Sequence, residues 1–383
     1  MRRVKTSARP DWEQKVEEVG LTYHHTLTDA GDRVAYWDES VYYSFASYEI
    51  DELEEATNEL HRLCLEAAQY IIDKNLFDDL RIPPSAVRLI KETWESEPPS
   101  IYGRFDLAYD GKSPPKMLEY NADTPTALLE ASVAQWYWLQ ELFPDKDQFN
   151  SIHERLVEKW KETRPRIREP LYFGCVSDPD SEDEMTVHYL RDTAEQAGIK
   201  TSFILMGDLG WDQDRKFFLD LDYERVQSIF KLYPWEWLLN EQFGAHVLET
   251  YGQMTWIEPI WKMLLSNKAI LPILWDLYPG HPNILEAHAG YEFDMVQYVR
   301  KPLLGREGAN VYVKTLDGEA ENPGQYGEEG YIYQQYSRTS DFDGYHPVIG
   351  SWVIDGESAG IGIRESDGLI TNDQSRFVPH LIE

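Results

Sequence analysis

Two short runs with a two-residue period constrain this chain more than anything else in it. Between Ile101 and Asn121 the pattern changes to period two in two stretches. The first run is Tyr102-Gly103-Arg104-Phe105-Asp106-Leu107 and the second is Lys116-Met117-Leu118-Glu119-Tyr120-Asn121, with Asp110-Gly111-Lys112 between them. Period two is the signature of a strand, and the Asp-Gly turn predicts that the two strands pair as a hairpin. Residues two apart project to the same side. Arg104 and Asp106 therefore share one face with Phe105 and Leu107 opposite, and Glu119 and Asn121 share one with Leu118 and Tyr120 opposite. Paired, the strands present two carboxylates, an amide and a guanidinium on a single sheet face. Hard oxygen donors of this kind suit Mg²⁺ carrying nucleotide phosphates, with the arginine as an anion clamp. An exposed polar face of a half-buried sheet gives the same alternation, so both readings stand at this point.

The surrounding pattern is mixed α/β. From about Asp51 to Lys74 the residues Leu53, Ala56, Leu60, Leu63, Ala67, Tyr70 and Ile71 form one apolar helical stripe, and Asp51 with Glu54 reads as a capping pair. A second helix is predicted from about Thr126 to Leu142. The charged, proline-containing stretch Arg164 to Pro170 reads as a lobe boundary. Beyond it come a buried strand at Leu171 to Val176, a helix from Asp183 to Gln196 closed by Gly198, and a strand at Thr201 to Met206. Helical segments are expected around Tyr223 to Ile229, Trp235 to Leu248 and Pro259 to Leu265. After Val296 the chain turns β-rich, with strands at Val296 to Lys301, Asn310 to Thr315 and Tyr331 to Tyr336. A hairpin follows, Val348 to Ile354 and Ser358 to Arg364 about the turn Asp355-Gly356. These divisions suggest three lobes of one module: 1–168 carrying the first strand pair, 169–265 as an α/β substrate-binding lobe, and 266–383 as a β-rich lobe.

Composition narrows the function classes. A formal charge of −32 argues against nucleic acid and anionic membrane as partners. It suits a cationic substrate such as a polyamine, and equally an acidic solvated surface. Cys64 and Cys175 are too few for a disulfide framework or a cysteine metal site and read as buried small hydrophobes. The absence of a secretory pattern and of any long apolar run leads to the expectation of a cytoplasmic protein. The histidines show no H-E-x-x-H spacing, and there is no G-x-S-x-G elbow.

Further candidates lie in the last third. Lys301 ends an apolar strand and is followed by a loop holding Gly305, Arg306 and Gly308 before Asn310. Such a loop brings backbone N–H groups close to phosphate oxygens, although its spacing is neither a Walker A nor a dinucleotide fingerprint. Lys268, the amides Gln334 and Gln335, and Arg364 at the end of the last hairpin are ambiguous when taken singly.

Together these pieces resemble the synthetase module of the glutathionylspermidine synthetases. The matching stretches are Tyr102 to Asp106, Leu118 to Asp123, Leu232 to Glu236, Ser266 to Ala269, Lys301-Pro302 with Arg306 to Asn310, Tyr326 to Gly330, Ile349 to Trp352 and Ala359 to Arg364, in the family's order. The resemblance implies an ATP-grasp fold with a pre-ATP-grasp-like lobe, in which ATP lies between two β-rich lobes. The Glu-x-Asn pair precedes the lysines, which looks like the permuted motif order of eukaryotic-type glutathione synthetases. Carried over by position, Asp106, Glu119 and Asn121 hold Mg²⁺. Lys268, Lys301, Gly305, Gly308, Asn310, Gln334 and Gln335 surround the nucleotide. Arg104, Arg306 and Arg364 serve the carboxylate and the acyl phosphate. Thr124 and Thr126 stand where the family favours serines in its acid-substrate site, and Glu182, Asp183 and Glu184 are the nearest counterparts of the paired glutamates of its polyamine site. The implied reaction joins a peptide-like carboxylic acid, glutathione being the family's example, to an amine at the expense of ATP. Two rival functions are a non-catalytic nucleotide-binding protein on the same scaffold and a glycoside hydrolase exploiting the chain's many aromatic and acidic side chains.

Overall fold

Phe105 and Leu107 need an apolar surface behind their strand, and a long helix supplies it. The computed structural model describes residues 1–27, 31–178, 181–291, 293–338, 341–372 and 374–383. In it, strands Tyr102–Ala108 and Lys116–Asn121 pair antiparallel and form one edge of a five-stranded sheet continued by His346–Ile354, Glu357–Ser366 and Arg376–Val378. The last hairpin of the chain thus completes the sheet begun near residue 102, across the expected boundary between 1–168 and 266–383. Helix Ser47–Lys74 lies along the back of this sheet, with Leu53, Leu60, Leu63, Ala67 and Ile71 buried. Each buried leucine or isoleucine stabilises the packing by on the order of 2 kcal/mol. Thr57 and Ser351 share a hydrogen bond of 2.7 Å where helix meets sheet. Phe105 stacks on Tyr120 with ring centroids 3.8 Å apart. Gly103 is required there, because a Cβ would meet the Tyr120 ring at 2.8 Å.

Two further sheets frame the front. A parallel sheet runs in the order Thr255–Ile257, Ser228–Leu232, Leu171–Cys175, Thr201–Leu205, with helix Glu182–Gln196 crossing between the last two. An antiparallel sheet in the order Ala287–His288, Tyr331–Gln335, Tyr298–Pro302, Tyr312–Lys314, Glu319–Glu321 forms the opposite wall. Strands Arg2–Lys5, Val41–Phe45 and His380–Ile382 draw the two ends of the chain together. The fold is mixed α/β, as the alternation of patterns implied.

Four local expectations fail for identifiable reasons. Tyr223 to Ile229 is not helical; it leads into strand Ser228–Leu232, whose five residues are all buried. A strand covered on both faces loses its alternation and cannot be told from a helix by period. The expected helix Trp235 to Leu248 is two pieces, Trp235–Asn240 and Gly244–Thr250. The long helix begins at Ser47, not Asp51, and the capping glutamate is Glu49, which accepts from the Ala46 N–H at 2.8 Å. The helix after Thr126 opens on a π turn, Glu130–Ala134, before Gln135–Leu142. No described helix is long and apolar enough to cross a membrane. Cys64 and Cys175 are buried and unbridged, and burial pushes the Cys175 thiol up to about 12.

Candidate active site

Where the three large sheets converge they leave a cleft of about 470 Å³. Its floor is the first strand pair, whose register sets Asp106 opposite Glu119 and Arg104 opposite Asn121. The polar face inferred from alternation therefore exists and points into the cavity. Asp106 is bound from both sides: Arg104 Nε donates to Oδ1 at 2.9 Å, and Arg364, from the last hairpin, donates to Oδ2. Burial alone raises a carboxyl pKa, but the two guanidinium charges outweigh it and hold Asp106 below the usual range. Glu119 is also held low, burial and Asp106 being outweighed by Lys268 and Lys301. Both carboxylates are thus ionised, and together with the Asn121 amide they make a compact set of hard oxygen donors. That set fits Mg²⁺ in chemistry.

Lys301 is nearly buried. Its Nζ donates to Leu118 O at 2.8 Å and to Gln334 Oε1 at 2.7 Å, and Gln334 in turn donates to Met117 O at 3.0 Å. Burial, only partly offset by Glu119, lowers its pKa to about 8. Lys268 reaches Glu119 Oε2 at 3.1 Å and donates to Gly305 O at 2.7 Å, so one ammonium ties the floor to the glycine loop. The loop lies over the cleft. Arg306 hydrogen-bonds Thr124 Oγ1 and stacks over the Trp237 ring at 5.4 Å. Gly308 has a φ of +68°, and a Cβ there would meet Thr371 O at 2.4 Å. Gly305 and Gln335 line the cavity as well.

The opposite end is acidic. Glu182 accepts from the Thr126 hydroxyl, while Asp183 and Glu236 face the same space. Burial, reinforced by Glu182 and Asp178, pushes Asp183 up to about 7. Burial raises Glu182 and Glu236 too. Thr126 also supplies the carbonyl that receives Arg104 Nη1 at 2.6 Å, and the Thr124 N–H is held by Asn121 Oδ1 at 3.2 Å. The cavity is therefore bipolar, with four lysine and arginine cations around two ionised carboxylates at one end and acids faced by Arg306 at the other.

Of the candidates named from sequence, all but two line this cleft. Asn310 has a φ of +58° and binds Tyr326 O and, at 2.8 Å, Tyr331 Oη, so it braces the loop from behind. Glu184 stands outside the lining. Sequence reading missed Glu236 and Trp237, although both lie in or beside the Leu232 to Glu236 stretch. It also missed the buried pair Lys231–Asp123, 2.7 Å apart, which fixes the turn below Thr124; Lys231 lies just beyond the stretch expected as helix, in strand Ser228–Leu232. Outside the cleft, Glu13, His24 and His25 converge without any motif spacing. Arg33 donates to His25 Nδ1 at 3.0 Å, so a guanidinium already takes the position a cation would need.

Comparison with known proteins agrees with this architecture. A family model described as glutathionylspermidine synthase preATP-grasp matches residues 3–383. A proposed acid–amine ligase of Haemophilus influenzae is 40% identical over 385 residues, 97% of each chain being covered. Trypanothione synthetase of Crithidia fasciculata is 31% identical over 83% of this chain and 53% of its own length. The bifunctional glutathionylspermidine synthetase/amidase of Escherichia coli K12 is 26% identical over 94% of this chain and 62% of its own length. The chain thus spans nearly all of the first relative and only a little over half of the other two. Among solved structures, a glutathione synthetase-like effector of Globodera pallida superimposes with a TM-score of 0.59 over 99% of this chain and 100% of its own, at 11% identity, a likeness of fold alone.

Proposed function

The chain belongs to the glutathionylspermidine synthase preATP-grasp family, and from that premise we propose that it is an ADP-forming ligase that joins a carboxylic acid to an amine through an acyl phosphate. The observation that carries this reading is the bipolar cleft. Its cationic end suits a triphosphate and a carboxylate, and its acidic end suits an ammonium group. A peptide-like acid such as glutathione and a cationic amine are the substrate classes proposed.

In this mechanism Lys301 and Lys268 neutralise the nucleotide phosphates, and Gln334 holds the Lys301 ammonium in place. Arg104 and Arg364, on strands either side of His346–Ile354 and fixed through Asp106, clamp the acid carboxylate in line with the γ-phosphate. Asp106, Glu119 and Asn121 would hold Mg²⁺, which would supply positive charge to offset the negative charge developing during phosphoryl transfer. The carboxylate attacks the γ-phosphorus and ADP departs. Arg306 then sits over the transferred phosphoryl group. Because its loop is tied down at both Lys268 and Thr124, water is kept from the acyl phosphate. Glu182 and Asp183 receive the amine, and its attack expels phosphate and leaves the amide. Catalysis of this kind is positioning plus fixed charge.

The division into lobes at 1–168, 169–265 and 266–383, and a cytoplasmic setting in keeping with buried free thiols and consumption of ATP, belong to the same proposal. A glycoside hydrolase is not favoured, since Asp106 and Glu119 are locked to cations rather than poised as acid and base. The deciding experiment measures ADP release from Mg-ATP with pooled acids and amines, followed by product mass. ADP release that needs an acid, with a condensed product in the presence of an amine, supports the ligase. ATP binding without acid-dependent ADP release would instead make the chain a nucleotide-binding scaffold.

A further inference from the structure

Arg306 is held between two surfaces that belong to different sheets. One is Thr124, on the turn that leaves the first strand pair, whose hydroxyl receives its Nη2. The other is the ring of Trp237, on helix Trp235–Asn240 just after the parallel strand Ser228–Leu232, 5.4 Å from the guanidinium. Such a latch holds only while its two halves keep their spacing. Asp123 stands where they meet. It is buried beside Thr124; its Oδ1 accepts from Lys231 Nζ at 2.7 Å, and its Oδ2 accepts from the N–H of Trp235, the first residue of the helix, at 3.1 Å. Lys231, itself fully buried, also donates to Tyr233 O at 2.9 Å and lies 4.5 Å from the centre of the Trp235 ring. Tyr233 in turn sets its ring edge-on to Trp237, the centroids 5.6 Å apart. The contacts close a circuit from Thr124 through Asp123, Trp235, Trp237 and Arg306 back to Thr124. Burying two charges is a weak way to stabilise a fold, because desolvation offsets much of their attraction. What the pair supplies here is a directional tie between two sheets, placed at the latch.

We propose that Asp123, held by Lys231, is a positioning residue for Arg306: one carboxylate fixes both surfaces of the latch and so sets how much acyl phosphate reaches the amine rather than water. The proposal deepens the ligase reading and rests on it. Asp123 acts through Thr124 and Trp237, and these act on Arg306 and the glycine loop. When that loop lifts, water attacks the acyl carbon and the bond from this carbon to the phosphate oxygen breaks. The products are the original carboxylate, hydrogen phosphate and one proton. ADP has then been formed with no amide. Lys268 still ties Gly305 to Glu119 when the Asp123 tie is cut, so the loop is loosened rather than freed.

The test measures ADP and amide together, with glutathione, spermidine and Mg-ATP. Its main subject is the double variant Asp123→Asn/Lys231→Met, which removes both charges and so leaves no orphaned one in the interior. ADP per amide should rise from one to at least about three, while KM for ATP changes by less than about twofold. Trp237→Leu removes the second surface alone and should raise the ratio in the same direction; Trp237→Phe keeps an aromatic face and should stay closer to the parent. A fall in turnover with the ratio still at one overturns the proposal, because a merely structural role slows both products alike. Hydrogen exchange of the apoprotein supplies a readout free of the reaction. The Gly305 and Ala309 N–H groups bond within the loop, to Pro302 O and Arg306 O. A peptide spanning 303–312 should exchange at least about threefold faster in the double variant and in Trp237→Leu. Exchange unchanged from the parent refutes the positioning role. If the parent releases no ADP with glutathione, it is the choice of substrates under the ligase reading that has failed, and exchange decides the role of Asp123 alone.

Discussion

Replacing Lys301 with methionine separates the chemistry of the cleft from its stability. The ammonium is almost entirely buried, and desolvation draws its pKa from 10.5 to about 8. Keeping the charge there costs roughly 3 kcal/mol at neutral pH. Methionine has a similar length and removes that penalty, but it leaves Leu118 O and Gln334 Oε1 without their donor, at about 1–3 kcal/mol each. The two effects nearly cancel, and in a chain of 383 residues each kcal/mol moves Tm by about 2 °C. The melting temperature should therefore stay within a few degrees of the parent. Loss of a fixed cation aimed at transferring phosphate removes about 3–4 kcal/mol of transition-state stabilisation, a fall of 10²–10³ in ADP formation. The pH dependence gives a second check. The folded pKa lies below the unfolded one, so the penalty is in force below about pH 8 and disappears as pH rises from about 8 to 10.5. The parent gains stability from this group across that alkaline window, and Lys301→Met should lose the gain. Calorimetry across pH and a coupled ADP assay read both quantities. ADP formation within tenfold of the parent in a normally melting variant would refute the role given to Lys301.

Four other outcomes follow from the same geometry. Glu119→Gln removes one of the two ionised carboxylates of the floor and should abolish ADP formation by at least about 100-fold, with a normal circular dichroism spectrum and weakened dependence on Mg²⁺ concentration. Arg306→Ala breaks the latch to Thr124 and the stack on Trp237, so the ratio of ADP released to amide formed should rise above one as acyl phosphate hydrolyses; a ratio that stays at one argues against the loop as a seal. Lys231→Met strands Asp123 without its buried partner and should lower stability by roughly 3–5 kcal/mol in chemical denaturation, with activity falling as the Thr124 turn loosens. The Asp183 carboxyl, pushed up to about 7 chiefly by burial, is neutral below that pH and charged above it, so KM for a cationic amine should rise as pH falls through 7 and flatten in Asp183→Asn.

What could be read from residues alone depended on how local the cause was. The strand pair at 102–121 was legible because its cleft-facing residues are polar and its opposite face apolar, which keeps period two even though all seven residues of Tyr102–Ala108 are buried; the pairing of Asp106 with Glu119, and the shift that sets Leu107 against Met117, emerged only with the structure. The long helix was legible through its apolar stripe, but its start was not, because the cap is Glu49 rather than the more conspicuous Asp51. Strand Ser228–Leu232 was lost because apolar burial on both faces erases period two, and Lys231 within it gains its meaning only from the buried partner Asp123. The lysines and arginines of the cleft were ambiguous one by one and became candidates through the resemblance, since they come from elements more than 200 residues apart, Arg104 and Arg364 meeting on a single carboxylate. The π turn Glu130–Ala134 left no local trace, since nothing in its neighbourhood announces one.

The most direct test of the ligase account follows one oxygen atom. With an acid substrate labelled by oxygen-18 in both carboxylate positions, an acyl phosphate route carries one label into inorganic phosphate and leaves the other in the amide. The account predicts one labelled oxygen in each phosphate formed with product. Phosphate free of label, released alongside a genuine amide, would contradict it.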